Sequence, residues 1–306
     1  MGEHPDPRQW SVGVIVVAHN SAGHLPALLD SLPAALGDLA AQVVVVDNGS
    51  SDTTVAVARV RSDCRVVEAA NGGYSSGINI GIRATPDADA WLILNPDVRL
   101  EPHSVVDLAR KIRGSGVGLA GPKVLSPSGE LQPSMRREPS LCRTMGLSFT
   151  SHPAFSEYVS SPHDYDADRK VDWMLGAALM VSRECYEAIG PWDESYFLYS
   201  EETDYCLRAR DAGFSTWYVA SAVATHVGGG SGQSDRTHVM QILNRVRLYR
   251  RRHSLFPAAL YYLLTIAGEV SWLMRGGRRS RASLRALLLP SVRPPELGCD
   301  NHLIPI

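Results

Sequence analysis

The sequence has no Cys-x-x-C pair, and its five cysteines, Cys64, Cys142, Cys185, Cys206 and Cys299, lie far apart and are odd in number. Neither a disulfide framework nor a zinc site is indicated, and a reducing compartment is the simplest setting. Met1 to Trp10 is polar, with Pro5 and Pro7, and lacks the basic stretch and apolar run of a secretory signal, so a cytoplasmic location is expected. The formal net charge is only −2, which gives no reason to expect a nucleic-acid partner. No internal repeat is present. With 44% hydrophobic and 20% charged residues, the 306-residue chain resembles neither a disordered tail nor a polytopic membrane protein.

What is present is alternation. Short β-branched runs at 12–18, 43–46, 65–68, 91–94 and 117–120 exchange with helical patterns at 25–32, 53–60, 76–84 and 103–112. Strands alternating with helices imply βαβ units and an α/β fold, with a mainly parallel sheet flanked by helices. Regular structure resumes with a strand within 172–181, a short helix near 184–189, a helix over 200–212 and a strand at 215–219. Between the two regions, 126–170 is rich in Pro, Ser and Arg. It is too long for an ordinary connection and is expected to cross the functional site and carry acceptor contacts.

The glycines at 228–232 read as a hinge between a main domain, 1–232, and a helical extension, 233–306. Within the main domain, about 12–124 is the nucleotide-binding half and about 125–232 the acceptor half. Between Arg245 and Arg285 of the extension, arginines at 245, 247, 250, 251, 252, 275, 278, 279, 281 and 285 face a single acid, Glu269. The run 255–274 is nearly apolar and long enough to span a bilayer, but Pro257, Thr265, Gly268, Glu269 and Ser271 argue against spanning. A helix lying on the cytoplasmic face of a membrane is one reading. A helix covering the main domain, its arginines merely solvated, is the other.

Two strands end in acids. The run 90–97 closes on Asn95-Pro96-Asp97, and the run 42–46 passes into Asp47-Asn48-Gly49-Ser50. Parallel strands in open α/β sheets deliver their carboxyl ends to the ligand crevice, which suits a nucleotide and a metal. Residues 47–52 also read as a plain turn in which Ser51 or Asp52 caps the next helix; as a site residue, Asp47 would accept the imino N–H of a pyrimidine. Asn95 and Asp97 offer an amide and a carboxylate to one divalent ion, with substrate phosphates and water completing the octahedron of magnesium. The bland alternative there is a proline-shaped turn.

The loop Asn71-Gly72-Gly73-Tyr74-Ser75-Ser76-Gly77-Ile78-Asn79-Ile80-Gly81 opens a helix whose N–H groups suit a phosphate or base. It matches neither the dinucleotide fingerprint nor the P-loop. Glu201 and Glu202 follow the aromatic run Tyr196-Phe197-Leu198-Tyr199. A Ser200-capped helix with acids in its first turn and an Asp204–Arg208 pair accounts for the composition. The aromatic setting would in addition desolvate a carboxylate and raise its pKa toward general-base range. His226 is a further candidate ligand for a metal or diphosphate, or a structural histidine.

In order and spacing these motifs resemble the family-2 inverting glycosyltransferases of GT-A fold, over roughly 12–226. The likeness is strongest to bacterial rhamnosyltransferases acting on polyprenyl-diphosphate-linked sugars. It is carried by Val45-Val46-Asp47-Asn48-Gly49-Ser50, the loop at Asn71, Asn95-Pro96-Asp97, Asp172-Trp173-Met174-Leu175-Gly176-Ala177 and Gly190-x-x-Asp193-Glu194-x-Tyr196-Phe197. The resemblance implies donor contacts from Ala18, Asn20, Asp47, Asn48, Gly73, Asn79, Asn95 and Asp97, and acceptor contacts from Trp173, Gly176 and Ala177. Asp97 is then the acid of an Asp-x-Asp-type motif whose first acid is replaced by Asn95. It would hold magnesium or manganese, with His226 nearby. Glu202 would be the base, beside Glu201.

The implied reaction moves L-rhamnose from dTDP-rhamnose to a hydroxyl of a lipid-diphosphate-linked saccharide in cell-envelope polysaccharide synthesis. No covalent sugar intermediate is needed, and the basic extension would lie peripherally on the inner face of the plasma membrane. A family-2 enzyme using a UDP-sugar for another glycan or a small-molecule acceptor would share every motif. A non-catalytic nucleotide-binding scaffold would not require Asp47, Asp97 and Glu202 together. A nucleotidyltransferase would carry a glycine-rich Lys/Arg loop that 12–24 lacks.

Overall fold

The computed structural model describes residues 10–145, 152–228, 234–299 and 303. The segment before Trp10 and the expected hinge beyond Gly228 lie outside the described residues. The first part runs β1 (Ser11–Ala18), α1 (Leu25–Leu36), β2 (Ala40–Asn48), α2 (Thr54–Arg59), β3 (Arg65–Ala69), α3 (Tyr74–Ala84), β4 (Ala90–Leu94), β5 (Val98–Leu100), α4 (Ser104–Ile112) and β6 (Val117–Leu125). This is the expected alternation with β5 added. There follow β7 (Met135–Arg136), α5 (Leu141–Thr144), β8 (Arg169–Val171), β9 (Trp173–Met174), β10 (Ala178–Ser182), α6 (Arg183–Ile189), α7 (Glu201–Asp211) and β11 (Ser215–His226). The extension holds α8 (Asp235–Arg252), α9 (Leu255–Met274) and α10 (Arg279–Leu288).

The main sheet has the order β3-β2-β1-β4-β10-β6-β11-β5, with β8 also paired to β11. From β3 to β4 every pairing is parallel. Alternate residues of β1 divide between two cores, as a period of two requires. Val12, Val14, Val16 and Ala18 pack with α1 and α4, whereas Ile15 and Val17 pack with Ile78 and Ile82 of α3. Both faces being covered, the strands are continuous apolar runs rather than alternating ones.

One expectation is corrected. The stretch 172–181 is two strands, because its middle serves different partners: Leu175 N–H donates to the Ser134 carbonyl and Asn95 N–H to the Ala177 carbonyl. Consequently β9 pairs with β7 in a separate two-stranded sheet. β10 inserts antiparallel to both β4 and β6. The strand expected at 215–219 continues past a register irregularity and sets His226 beside Val98.

The extension has its own core, including Val239, Leu243, Val246, Tyr261, Ala286 and Leu287. Its arginines divide by position. On α8, Arg245 pairs with Glu157 and Arg251 with Asp193. Arg252 reaches Asp211 at 2.7 Å, and Arg247 donates to the Ser195 carbonyl at 2.9 Å. These residues stitch α8 to the main domain, so the uniformly solvated or lipid-facing basic segment expected from composition is not what forms. Arg275, Arg278, Arg281 and Arg285 remain exposed. Helix α9 is long and apolar enough to cross a bilayer. It buries Ala258, Tyr261, Thr265 and Glu269, while Phe256 is 81% and Leu263 59% exposed.

The wholly buried Asn244 of α8 makes the tightest link. Its amide donates to the carbonyls of Tyr196, Leu198 and Tyr199 at 2.6, 3.0 and 3.1 Å. Phe197, Tyr199 and Ser200 all have positive φ, a conformation that costs non-glycine residues energy and persists only when its surroundings enforce it. Replacing Asn244 by Leu takes the amide donor from all three carbonyls, of which Tyr196 keeps the Leu198 N–H, and is expected to destabilise the fold by about 2–4 kcal/mol in denaturant titration.

Candidate active site

At the donor end, Ala18 of β1 is in register with Asp47 of β2. Asp47 is buried; its Oδ2 accepts the Ser50 N–H at 3.1 Å, while its Oδ1 has no partner among the described residues. That free acceptor suits the imino N–H of a pyrimidine. Asn20 adopts a left-handed φ of 50°. Its Oδ1 accepts the Ser51 N–H at 2.8 Å, so its carboxamide oxygen braces the turn at 50–52. Asp52 accepts from Thr54 N–H at 2.9 Å and Ala22 N–H at 3.2 Å, but the N-cap of α2 is Thr53, without a side-chain capping bond, which corrects the cap expected at Ser51 or Asp52.

Asn48 and Asn79 are buried clamps. Asn48 donates to the Gly73 carbonyl at 3.0 Å and to Asn71 Oδ1 at 3.2 Å. Asn79 donates to the Trp192 carbonyl and Glu194, both at 2.9 Å, and accepts the Trp192 N–H at 3.0 Å. With its amide engaged on both sides by protein, Asn79 has the task of fixing α3 to the turn at 190–194, a correction to the donor contact expected of it. Gly77 and Gly81 serve packing rather than phosphate: a Cβ on either would lie 2.5 or 2.3 Å from Val17 or Ile15. Gly73 has φ of +90°, and a Cβ there would sit 2.4 Å from the Phe197 carbonyl oxygen.

The metal end is formed by the segment after β4 and the end of β11. Asp97, 6% exposed, has Oδ1 3.4 Å from His226 Nε2, and Oδ2 accepts the Gly228 N–H at 3.1 Å. Burial disfavours its ionised form, but His226 and these N–H groups outweigh that, and the carboxyl lies below the usual aspartate range. His226 Nδ1 is buried and unpaired. Asn95 is fixed through its backbone, its N–H donating to the Ala177 carbonyl at 2.9 Å. Among the described residues no three His, Cys, Asp or Glu side chains converge. Asp97 and His226 are the pair of donors that would hold an ion here. That donor pair fits a divalent ion whose remaining positions go to phosphate and water.

Glu201 and Glu202 open α7 directly after the strained segment. Ser200 occupies the capping position, but its side chain makes no capping bond and its φ is 74°, which corrects the expected serine cap. The predicted Asp204–Arg208 pair is formed at 2.8 Å. Glu201 is buried, while Glu202 is more open and packs against Gly176, where a Cβ would lie 3.4 Å from that of Glu202. Each glutamate has one buried carboxylate oxygen without a partner. Trp173 leads the same loop, its Nε1 donating to the Arg137 carbonyl at 2.9 Å.

Tyr74, quoted in the glycine loop but given no role there, proves central. Its N–H donates to the Phe197 carbonyl at 2.6 Å and its phenol to the Gly176 carbonyl at 3.2 Å. Burial first, then Glu201, Glu202 and Asp97, push the phenol's pKa well up, so Tyr74 stands neutral among three carboxylates. Its signal in the sequence was an aromatic ring directly after the loop glycines.

A parallel sheet edged by acids, facing a helix that begins with two more, has the layout of a GT-A sugar-nucleotide transferase. The family profile described as glycosyltransferase like family 2 matches residues 7–253. The N-acetylglucosaminyl-diphospho-decaprenol L-rhamnosyltransferase of Mycobacterium tuberculosis (strain H37Rv) is 32% identical over 247 residues, covering 74% of this chain and 79% of that protein. Rhamnosyltransferase WbbL of Escherichia coli K12 is 23% identical over 70% of this chain and 83% of its own length. Among solved structures, GalNAc-T7 with UDP, GalNAc and Mn2+ superposes with TM-score 0.63 at 13% identity, over 92% of this chain and 56% of that one. The Pyrobaculum calidifontis mannosyltransferase PcManGT, with GDP-Man and Mn2+, gives 0.56 at 16% identity over 98% and 87%. The two structures establish the GT-A fold, and the chain belongs to glycosyltransferase family 2.

The two glutamates of this glycosyltransferase share a dry site. Burial, then the neighbouring Glu202, raise the Glu201 pKa well above the ordinary 4.5. Burial likewise raises Glu202, opposed by backbone N–H groups, including that of Gly176, and by Arg136. A raised folded-state pKa means that the native protein holds the proton more tightly than the unfolded chain. The resulting stability is complete below about 4.5 and is lost as pH climbs toward the folded value. Glu201→Gln is therefore expected to flatten the decline of melting temperature with rising pH above 4.5 and to raise it at neutral pH; an unchanged slope would exclude a protonated Glu201.

Proposed function

We propose that the protein is an inverting rhamnosyltransferase that moves L-rhamnose from dTDP-rhamnose to a hydroxyl of an N-acetylglucosaminyl-diphospho-polyprenol. The observation carrying this reading is that Asp47, His226, Glu201 and Glu202 each hold an unpartnered buried atom, while Asp97, which contacts His226, and both glutamates act on the one Tyr74 phenol. Orphaned buried polar groups mark places where a ligand supplies the missing bonds. The names of the Mycobacterium and Escherichia relatives support the sugar, and that of the former supports the acceptor.

In this reading Asp47 holds the pyrimidine and Glu202, the more open of the acids, faces the acceptor. Glu202 takes the proton of the acceptor hydroxyl, whose oxygen bonds to the anomeric carbon as the bond to the nucleoside diphosphate breaks, inverting that centre in one step. A divalent ion held by Asp97 and His226 would neutralise the departing diphosphate; the Mn2+ in both superposed structures supports such an ion. Glu201, whose carboxyl burial and then Glu202 push toward the protonated form, limits the second charge beside the base.

A UDP-sugar donor is the second reading. Asp47 Oδ1 meets the same imino N–H in uracil as in thymine, and the GalNAc-T7 structure contains UDP. Thermal stabilisation by dTDP, UDP, GDP and ADP, with and without magnesium or manganese, tests both. The largest metal-dependent shift is expected with dTDP, a larger shift with UDP would favour the second reading, and no shift with any would favour a non-catalytic scaffold.

Glu202→Gln is expected to lower transfer about 10² to 10⁴-fold, the usual share of general-base catalysis, while dTDP stabilisation is unchanged. Near wild-type transfer would remove Glu202 as base.

Peripheral contact with the cytoplasmic leaflet belongs to the same proposal. It is supported by the exposed apolar face of α9, with Phe256, Leu263 and Met274, and by the exposed arginines at 275, 278, 281 and 285. Phe256→Glu with Leu263→Glu is expected to reduce sedimentation with anionic vesicles while sparing transfer to a soluble acceptor. Unchanged sedimentation would remove the contact.

A further inference from the structure

Beside the base lies an arginine that no step above uses. Arg136 is paired across strands to Trp173 on one side and bridged to Tyr158 on the other. Its guanidinium lies 4.1 Å from the Tyr158 ring centre and 5.7 Å from that of Trp173. Two flanking rings fix the plane of the cation, since guanidinium groups are attracted to aromatic faces. Nη1 donates to the carbonyls of Pro133 and Met135. Among the described residues, nothing accepts from Nε or Nη2, and no carboxylate forms an ion pair with this arginine.

Arg245 has Glu157 and Arg252 has Asp211, whereas Arg136 is left with an open fork. Burial pulls its guanidinium below the usual arginine range, partly offset by Tyr158, Tyr165, Glu157 and Glu202. A partly desolvated cation without an anion is costly to keep, and the missing partner is most simply an anionic ligand. The Nε/Nη2 edge matches two oxygens of a phosphate, a bidentate geometry that Lys does not reproduce.

Its location identifies which phosphate. Arg136 is in register with Trp173, three residues before the Gly176 that packs on Glu202. In the transferase reading the donor's diphosphate is assigned to Asp97 and His226, which leaves Arg136 for the acceptor. An acceptor sugar with a hydroxyl at Glu202 carries its diphosphate on the anomeric carbon of the same ring, and Arg136 lies near enough to Glu202 for each to act on the other's charge.

We propose that the Nε/Nη2 edge of Arg136, held between Tyr158 and Trp173, binds the sugar-proximal phosphate of a diphosphate-linked acceptor and selects it over a neutral glycoside. The assignment rests on the transferase reading and names the group by which its acceptor is recognised.

The test uses the full chain and two soluble acceptors of equal alkyl length, an N-acetylglucosaminyl alkyl diphosphate and the corresponding neutral alkyl N-acetylglucosaminide. In Arg136→Gln the preference in kcat/KM for the diphosphate acceptor should fall about tenfold or more, mainly through KM, the scale of a lost charge-assisted pair. The KM for donor should not move, and Arg136→Lys, which keeps the charge beside Glu202 but not the two-pronged edge, should recover only part of the preference. Equal losses on both acceptors would overturn the proposal and make Arg136 a positioning residue for Glu202.

A wild type that transfers to neither acceptor would sink the transferase reading instead. Calorimetric binding of inorganic pyrophosphate, with the donor site saturated by nucleoside diphosphate, then tests Arg136 alone. Weaker binding by a natively folded Arg136→Gln supports the site, and equal binding overturns it.

Discussion

The peptide carbonyl of Phe197 holds the halves of this site together. It accepts the Tyr74 N–H at 2.6 Å and occupies the space a side chain on Gly73 would need, so the donor loop and the entry to the acid-bearing helix share one backbone contact. That carbonyl lies in a run of positive-φ residues which Asn244 holds from the far side. The separation between the glycine loop and the acid-bearing helix is thus set by main chain and buried amide rather than by flexible side chains. Such preorganisation is what a displacement between two bound substrates requires.

Charge is arranged around this frame by sending neighbouring carboxylates in opposite directions. Asp97 meets a histidine and backbone N–H groups, so its charged form is favoured despite burial. Glu201 and Glu202 meet mainly a dry wall and one another, so theirs is disfavoured. Acids whose environments push them apart can divide the work of one reaction, one staying ionised and another exchanging protons near neutrality. Tyr74 stands between the two sets and presents them with a neutral hydroxyl.

Much of this was legible from local pattern. The strands from β1 to β4 and the acids at their ends follow from apolar runs meeting turn residues, and such signals survive folding because they are local. The antiparallel insertion of β10 was not legible, since strand order depends on where Leu175 to Ala177 find partners distant in sequence. Asn79 was misjudged for a related reason: an amide in a glycine-rich loop looks the same whether it meets a ligand or the Trp192 peptide. Asn244 had one faint sign, a polar residue four positions after the buried Met240 on an inward helical face. Arg136 had none, because its meaning comes from two rings brought beside it by pairing with 158 and 173.

The placement of Asn244 bears on how this architecture is inherited and recombined. A cut at the glycines near 230 looks natural by composition, yet it would part the strained peptide at 197–200 from the amide that holds it. Chimaeras that exchange donor specificity between relatives therefore need to carry α8 along with the acid helix, as one inherited block. The family match itself ends at residue 253, one residue past that helix.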